Sequence, residues 1–386
     1  MVPADQRSNP RLDVDGILAD PGVRIVVCCG AGGVGKTTTA AALGLRAAER
    51  HGRRTVVLTI DPARRLAQAL GLSELDNTPR QVKGTVPAHD PAAPPNGDTG
   101  GELHAMMLDM KRTFDEVVLA HTDPRRAEEI FANPFYQAMS STFSGTQEYM
   151  AMEKLGQLRS RNEWDLIVVD TPPSRSALDF LDAPARLARF LDGRMLRMLL
   201  APARMGRRSV FSLVTASFGM FSRVVQKVLG GQLLSDLSGF VAALDSMFGG
   251  FRERAEQTYR ILQAPETAFL VVAVPEPDAI REAGYFAGRL ADESMPLHGL
   301  VLNRVHAVAA TALSEADSLS AAEAPAATPA AADALRIHAA LARQVARETA
   351  VAARFTQEHP GVPVVPIAAQ PADVHDIDGL RRLVPR

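Results

Sequence analysis

Short runs of Val, Ile and Leu, each followed by turn residues and a helical stretch, limit the fold of this chain more than any other feature. They lie at residues 24–29, 55–60, 103–109, 166–169, 268–274, 300–302 and 363–366. Several are almost wholly apolar, and a strand that is apolar on both sides must be covered on both sides. The pattern therefore predicts an α/β, doubly wound, mostly parallel sheet with helices on each face. Composition agrees. With 46% apolar residues, 22% charged residues and a net charge of -2, the chain has neither the profile of a disordered protein nor the basic excess of one that coats nucleic acid.

Three segments interrupt this rhythm. Residues 76–101, rich in Pro, Gly and Asp, predict a surface excursion. The Ala-rich stretch 307–333 predicts a flexible or partly helical insertion. The longest block without strand character is 182–263, where Val210, Val214, Phe218, Phe221, Val225 and Val228 fall at steps of three or four. Leu233, Leu237, Phe240, Leu244, Met247 and Phe251 resume that spacing after Gly230 and Gly231. Two amphipathic helices, inserted as a helical subdomain, are expected there. Residues 1–21 are expected to be an N-terminal tail ahead of a main domain at 22–386.

Between the first strand and the first helix stands Gly30, Ala31, Gly32, Gly33, Val34, Gly35, Lys36, Thr37 and Thr38, which satisfies G-x-x-x-x-G-K-T in the required strand–loop–helix setting. Glycines let successive main-chain N–H groups turn inward toward phosphate oxygens, and the positive end of the following helix adds to the same spot. Lys36 then neutralises β- and γ-phosphate charge, and the Thr37 hydroxyl ligates Mg²⁺. A glycine-rich turn with a surface lysine is the competing reading. Such a loop also needs an acid on a neighbouring strand, and Asp170, after Leu166, Ile167, Val168 and Val169, ends one. Asp61 closes the strand before it and opens the stretch Asp61, Pro62, Ala63; it either caps the next helix or orients a water at the γ-phosphate.

Together these residues resemble the arsenite-transporter and tail-anchored-protein-targeting ATPases, a branch of the deviant P-loop proteins, in an actinobacterial-type member. The resemblance covers about residues 22–385 and rests on residues 30–38, on Asp61, Pro62 and Ala63, and on Asp170, Thr171, Pro172 and Pro173. It rests further on Val274, Pro275 and Glu276, and on Leu302 and Asn303. It implies ATP with Mg²⁺ as ligands, Asp61 as the residue that positions hydrolytic water, and residues 170–174 as the second switch. It further implies that Glu276 reaches nucleotide across a dimer interface, that Asn303 contacts adenine, and that a loop around Pro366 completes the adenine wall. The family's loop begins Gly-Lys-Gly-Gly, its first lysine crossing to a partner subunit; this chain has Ala31 instead. After the second switch it has Arg175 and Ser176 where the family has Gly-His.

The resemblance implies an ATPase switch whose helical block holds a protein client, with a homo- or hetero-dimer as the working unit. In the latter case the partner is a related ATPase with an intact signature lysine. The apolar stripes of the block equally suit packing on one another. A regulatory subunit that holds ATP and scarcely turns it over, and a small-molecule phosphotransferase, are the alternatives. The only cysteines, Cys28 and Cys29, adjoin on the first strand, so neither a disulfide framework nor the family's thiolate metal sites are expected. The first twenty residues lack the apolar stretch of a secretory signal, and no apolar run reaches membrane-spanning length. The expected compartment is cytoplasmic, with only transient membrane association open to it, and no nucleic-acid partner is expected.

Overall fold

Apolar residues dominate the runs identified above, and every run holds a strand. A computed structural model describes residues 10–61, 65–85, 101–134, 136–137, 146–172, 253–325 and 327–383. In chain order the strands are β1 (Ile25–Cys29), β2 (Thr55–Thr59), β3 (Arg80–Gln81), β4 (Leu103–Met107), β5 (Leu166–Asp170), β6 (Thr267–Ala273), β7 (Leu297–Val305) and β8 (Val364–Ala368). They form one eight-stranded sheet in the order β3-β4-β2-β5-β1-β6-β7-β8. Every pairing is parallel except that of the two-residue edge strand β3 with β4. Each residue of β1, β2, β5 and β6 is buried, as two covered faces require. The fold is the α/β fold of the P-loop nucleotide-binding proteins.

The helices are α1 (Val14–Ala19), α2 (Lys36–His51), α3 (Arg65–Ala69), α4 (Met110–His121), α5 (Pro124–Ala132), α6 (Thr146–Arg161), α7 (Pro277–Asp292), α8 (Glu315–Glu323), α9 (Pro329–Glu358) and α10 (Ile377–Leu383). Helix α2 lies over the centre of the sheet and buries an alanine-rich face that includes Ala40, Ala41, Leu43, Ala47 and Ala48. Small residues there let it approach β2 and β5 closely. Burying each Val, Leu or Ile of the sheet contributes roughly 1.5–3 kcal/mol before chain entropy is set against it.

The chain divides into two compact units. The first holds Met1–Leu108, Leu158–Leu178 and Ile261–Arg386, and so the entire sheet. The second holds Asp109–Gln157 and Asp179–Arg260. Its described part is α4, α5, most of α6 and residues 253–260. In it Tyr136 packs edge-on against Phe114 and donates to Asp115 Oδ1 at 2.5 Å, while Arg254 grips both oxygens of Glu153. The second unit is therefore larger than the inserted block expected at 182–263, because 109–157 joins it. The two helices expected between Val210 and Phe251 lie outside the described residues.

One other expectation needs correcting, and one is met. Residues 10–20 are not a tail: Leu12, Val14 and Leu18 are buried in the core, and Asp13 caps α1 by accepting from Gly16 N–H. Asp15, bound at once by Arg46 and His51, is held down at a pKa of about 2 and ties α1 to α2. The Ala-rich stretch 307–333 is partly helical, with α8 capped by Ser314 and α9 begun by Thr328 and Pro329. Alanine is the best helix former, and each start carries a side-chain cap, which is why helix forms here as expected. Of the expected excursion at 76–101, residues 76–85 carry β3, and 86–100 lie outside the described residues.

Candidate functional site

Strand order decides where the chemistry collects. β1 is flanked by β5 on one side and β6 on the other, so the connections change direction at β1 and open a crevice at the carboxyl end of the sheet. The loop of residues 30–38 leaves β1 at that point. Gly30 has φ +147°, and a Cβ there would sit 2.1 Å from the Val272 carbonyl oxygen, so the loop turns against β6 in a way only glycine permits. Gly35 has φ 94° and stands at the start of α2, where a Cβ would strike Asn303 Nδ2 at 2.3 Å.

A cavity of about 580 Å³ opens in front of this loop, lined on one side by Gly33, Gly35, Lys36, Thr37, Thr38, Asp61 and Thr171. Gly30, Ala31, Gly32 and Val34 do not line it but shape the loop. The Lys36 ammonium is buried and donates to the Ala31 carbonyl oxygen at 2.7 Å. Burial pulls its pKa down, and the nearby Asp170 carboxylate partly opposes that. The amine is thus held along the loop, within reach of anything the loop cradles.

Asp170 is the best-defined group. It is fully buried, and its Oδ2 accepts from the hydroxyls of Thr37 and Thr59, each at 2.8 Å. Its Oδ1 is buried with no hydrogen-bond partner. Burial pushes its pKa up from 3.8 to about 6, against the pull of the two hydroxyls. A buried carboxylate oxygen left unpaired costs free energy, and such an orphan beside a phosphate loop marks a place built for something else to occupy. A hydroxyl and a carboxylate are hard oxygen donors, the set that Mg²⁺ and its water shell take. The residues present therefore fit the ion.

Asp61 follows β2, and its N–H donates to Thr59 Oγ1 at 3.2 Å. Its carboxylate belongs to the cavity lining beside Lys36 and Thr37. Thr171 anchors the start of the second switch by donating its N–H and hydroxyl to the Cys28 carbonyl oxygen. Pro172 is the last described residue there; Pro173, Ser174, Arg175 and Ser176 lie outside. Cys28 and Cys29 are buried free thiols; burial holds the first well above its ordinary pKa and the second at about 12. They remain unionised members of the core.

Farther along the sheet the cavity is lined by Asn303 and Arg304 near the end of β7 and His306 just past it, and by Ala368 at the end of β8 and Gln370, Asp373 and His375 beyond it. Asn303 Nδ2 donates to the Val34 carbonyl oxygen at 2.9 Å and its Oδ1 accepts from Arg304 N–H, so this amide braces the loop as well as facing the cavity. Two residues named from the sequence stand apart. Pro366 is exposed within β8 and does not line the cavity, because in register with Leu302 it still belongs to the sheet; the wall begins two residues later, at Ala368. Glu276 caps the start of α7 with an extended backbone, is exposed, and is also absent from the lining.

Several lining residues carried no signal in the chain alone. Thr59, which does not line the cavity but holds Asp170, could have been found: it ends β2 in register with Asp170, but only once β2 and β5 are known to be neighbours. Arg65, Gln68, Ala369, Gln370 and residues 372–375 are brought in by tertiary packing and have no motif.

Comparison with known proteins agrees with this geometry. The family model described as anion-transporting ATPase matches residues 23–321. The ATPase GET3 of Malassezia globosa is 23% identical over 295 residues, covering 75% of each chain. The ATPase GET3A of Arabidopsis thaliana is 24% identical over 297 residues, 77% of this chain and 71% of that one. A shorter match, to the uncharacterized protein SCO2128 of Streptomyces coelicolor, is 32% identical over 188 residues, 49% of this chain and 43% of the other. With most of its length covered by the family model, and with the loop, the strand-end acid and the sheet order in register with one another, the chain belongs to the anion-transporting ATPase family.

Proposed function

We propose that the chain is a MgATP-binding and ATP-hydrolysing switch that works in the cytoplasm as one subunit of a dimer. The observation that carries this reading is the buried Asp170 carboxylate, one oxygen held by Thr37 and Thr59 and the other without a partner, directly beside the phosphate loop. Thr37 and Asp170 would hold Mg²⁺, which would supply positive charge to offset that of the phosphates. Main-chain N–H groups of residues 32–37 and the start of α2 would hold the phosphates, and Lys36, which donates to the Ala31 carbonyl oxygen here, would offer them its charge. Asp61 orients the attacking water on the γ side, and the Asn303 amide keeps the loop closed behind. Glu276 and Pro366 would act only from an assembled dimer or a rearranged cavity wall.

Ala31 favours a specific form of this switch. With no lysine at that position, a second cation must come from a related subunit that has one, and the chain alone holds ATP with slow turnover. A heterodimer in which this subunit is regulatory follows from that. Residues 182–263, with their apolar stripes, are the proposed client- or partner-binding part, suited to a hydrophobic helix. Among the described residues no helix is long and apolar enough to cross a membrane.

Titration calorimetry with MgATP, paired with a phosphate-release assay on the purified chain, tests the proposal. Binding that needs Mg²⁺, with slow release of phosphate to water, is the expected result. No association with any nucleoside triphosphate would sink it. Vigorous turnover as a homodimer would remove the heterodimer, and phosphate passed to an acceptor other than water would make the chain a phosphotransferase.

A further inference from the structure

Strand β2 ends on a side chain that its position does not call for. The strand lies between β4 and β5 with every residue buried, where Val or Ile packs well and a hydroxyl costs free energy unless it is bonded. Thr59 nevertheless stands at its end, 1% exposed. Thr55, at the other end, turns its hydroxyl back onto the Arg53 carbonyl oxygen, a local bond with no link to the cavity. The Thr59 hydroxyl instead joins the ends of two strands. It lies 2.8 Å from Asp170 Oδ2, and it accepts from the Asp61 N–H at 3.2 Å.

The direction of these bonds follows from the groups. A main-chain N–H can only donate, so the Thr59 oxygen accepts from Asp61, and its single proton goes to the nearer Asp170 carboxylate rather than to the Asp61 carbonyl oxygen at 3.5 Å. Main-chain bonds on both sides fix the residue that carries the hydroxyl. The Thr59 carbonyl oxygen accepts from Leu108 N–H at 2.9 Å, and Ile60 N–H donates to the Asp170 carbonyl oxygen at 3.0 Å, so this end of β2 is pinned to both neighbours. A branched Cβ narrows the rotamers further. With Thr37 donating to the same Oδ2, one line of hydrogen bonds runs from Asp61 through Thr59 and Asp170 to Thr37. Asp61 is the residue assigned to water, and Asp170 and Thr37 are the pair that would hold Mg²⁺. Thr59 itself does not line the cavity.

We infer that Thr59 is a positioning residue that couples the two halves of the proposed site, its hydroxyl placing Asp61 by reference to Asp170. This deepens the proposed nucleotide site and rests on it. Since Thr59 lies outside the cavity lining, its effect on hydrolysis passes through Asp61, and its loss should slow that step without loosening the nucleotide.

Thr59→Val keeps the branched shape and removes the hydroxyl, whereas Thr59→Ser keeps the hydroxyl and removes a methyl. Three measurements on the full chain separate the claims. In the ligand-free protein, exchange of the Asp61 amide hydrogen, followed by NMR, should quicken by about five-fold or more in Thr59→Val and stay within about two-fold of the wild type in Thr59→Ser. Calorimetry should place the MgATP dissociation constant of both variants within about three-fold of the wild type. Single-turnover phosphate release should slow by about ten-fold or more in Thr59→Val and recover in Thr59→Ser, since a small misplacement of a water-orienting group is costly. Thr59→Ala, which also lacks the hydroxyl, should follow Thr59→Val and serves if that variant does not fold. Unchanged exchange at Asp61 in the variants without the hydroxyl overturns the inference. So does a loss of MgATP affinity as large as the loss of rate, or a rise in the Mg²⁺ needed for binding with exchange at Asp61 unaltered, because the hydroxyl would then serve Asp170 alone. A wild-type chain that binds no MgATP overturns the nucleotide reading itself, and this inference with it.

Discussion

Replacing Asp170 with Asn should make the ligand-free protein more stable and, in the same step, deaf to Mg²⁺. The carboxyl titrates near 6 in the folded chain against 3.8 for the ordinary group, chiefly because it is buried, so ionising it there is disfavoured by about 3 kcal/mol at neutral pH. The sign follows from the direction. Between pH 3.8 and about 6 the folded state keeps a proton that the unfolded chain has released, so stability held below 3.8 is lost as pH rises toward 6 and stays lost above it. Asn leaves an oxygen for the Thr37 and Thr59 hydroxyls and carries no charge; its amide at the position of the unpartnered Oδ1 costs about 1 kcal/mol at every pH. The variant should therefore exceed the wild type by about 2 kcal/mol at pH 8, with the gap about 1.4 kcal/mol smaller at pH 5. Urea unfolding midpoints in chelator-treated buffer at pH 5, 6, 7 and 8 measure this directly. Adding MgATP should reverse the order, because only the wild type gains stability from a ligand that needs the carboxylate. A variant no more stable than the wild type at pH 8, or a gap that stays flat from pH 5 to 8, would show that the buried carboxylate is not strained.

Three further outcomes are expected. Gly30→Ala should unfold the loop region or cost about 3 kcal/mol or more by thermal denaturation, since its Cβ would fall on the Val272 carbonyl oxygen and its φ suits only glycine. Lys36→Ala should weaken MgATP binding by about a hundred-fold in calorimetry, from the loss of charge-assisted bonds to phosphate, while the buried ammonium's removal leaves the urea midpoint unchanged or raised. Asp61→Asn should leave the dissociation constant within about two-fold and slow phosphate release by about a hundred-fold or more, as loss of a water-orienting group does; an equal fall in affinity would assign Asp61 to binding instead.

The sheet was legible because its central strands are apolar on both faces: β1, β2, β5 and β6 announce themselves through short runs dominated by Val, Ile, Leu and other apolar residues. So were Lys36, Thr37 and Asp170, because phosphate chemistry prescribes both their identity and the elements beside them. Local pattern could not give strand order, and without it nothing shows that Thr59 faces Asp170 or that Asn303 reaches Val34. The place of Pro366 inside a strand was hidden for the same reason: only its register with Leu302 reveals that the strand continues past it. Residues 10–20 were misread because charge dominates their composition, while the three apolar side chains that dock them are spaced too sparsely to signal a buried helix.

The far wall of the cavity comes from residues 368–375 and from Leu383, whereas the glycine loop it faces is among the first parts of the chain. At roughly 5–20 residues per second, a ribosome completes that wall tens of seconds after the loop has emerged. A nascent chain, or a fragment cut after α8, thus displays the full phosphate signature without a compartment to enclose a nucleotide. Occupancy by a nucleotide would report that synthesis has passed residue 383, and a partner that responds only to the loaded form would ignore copies that stop short of it.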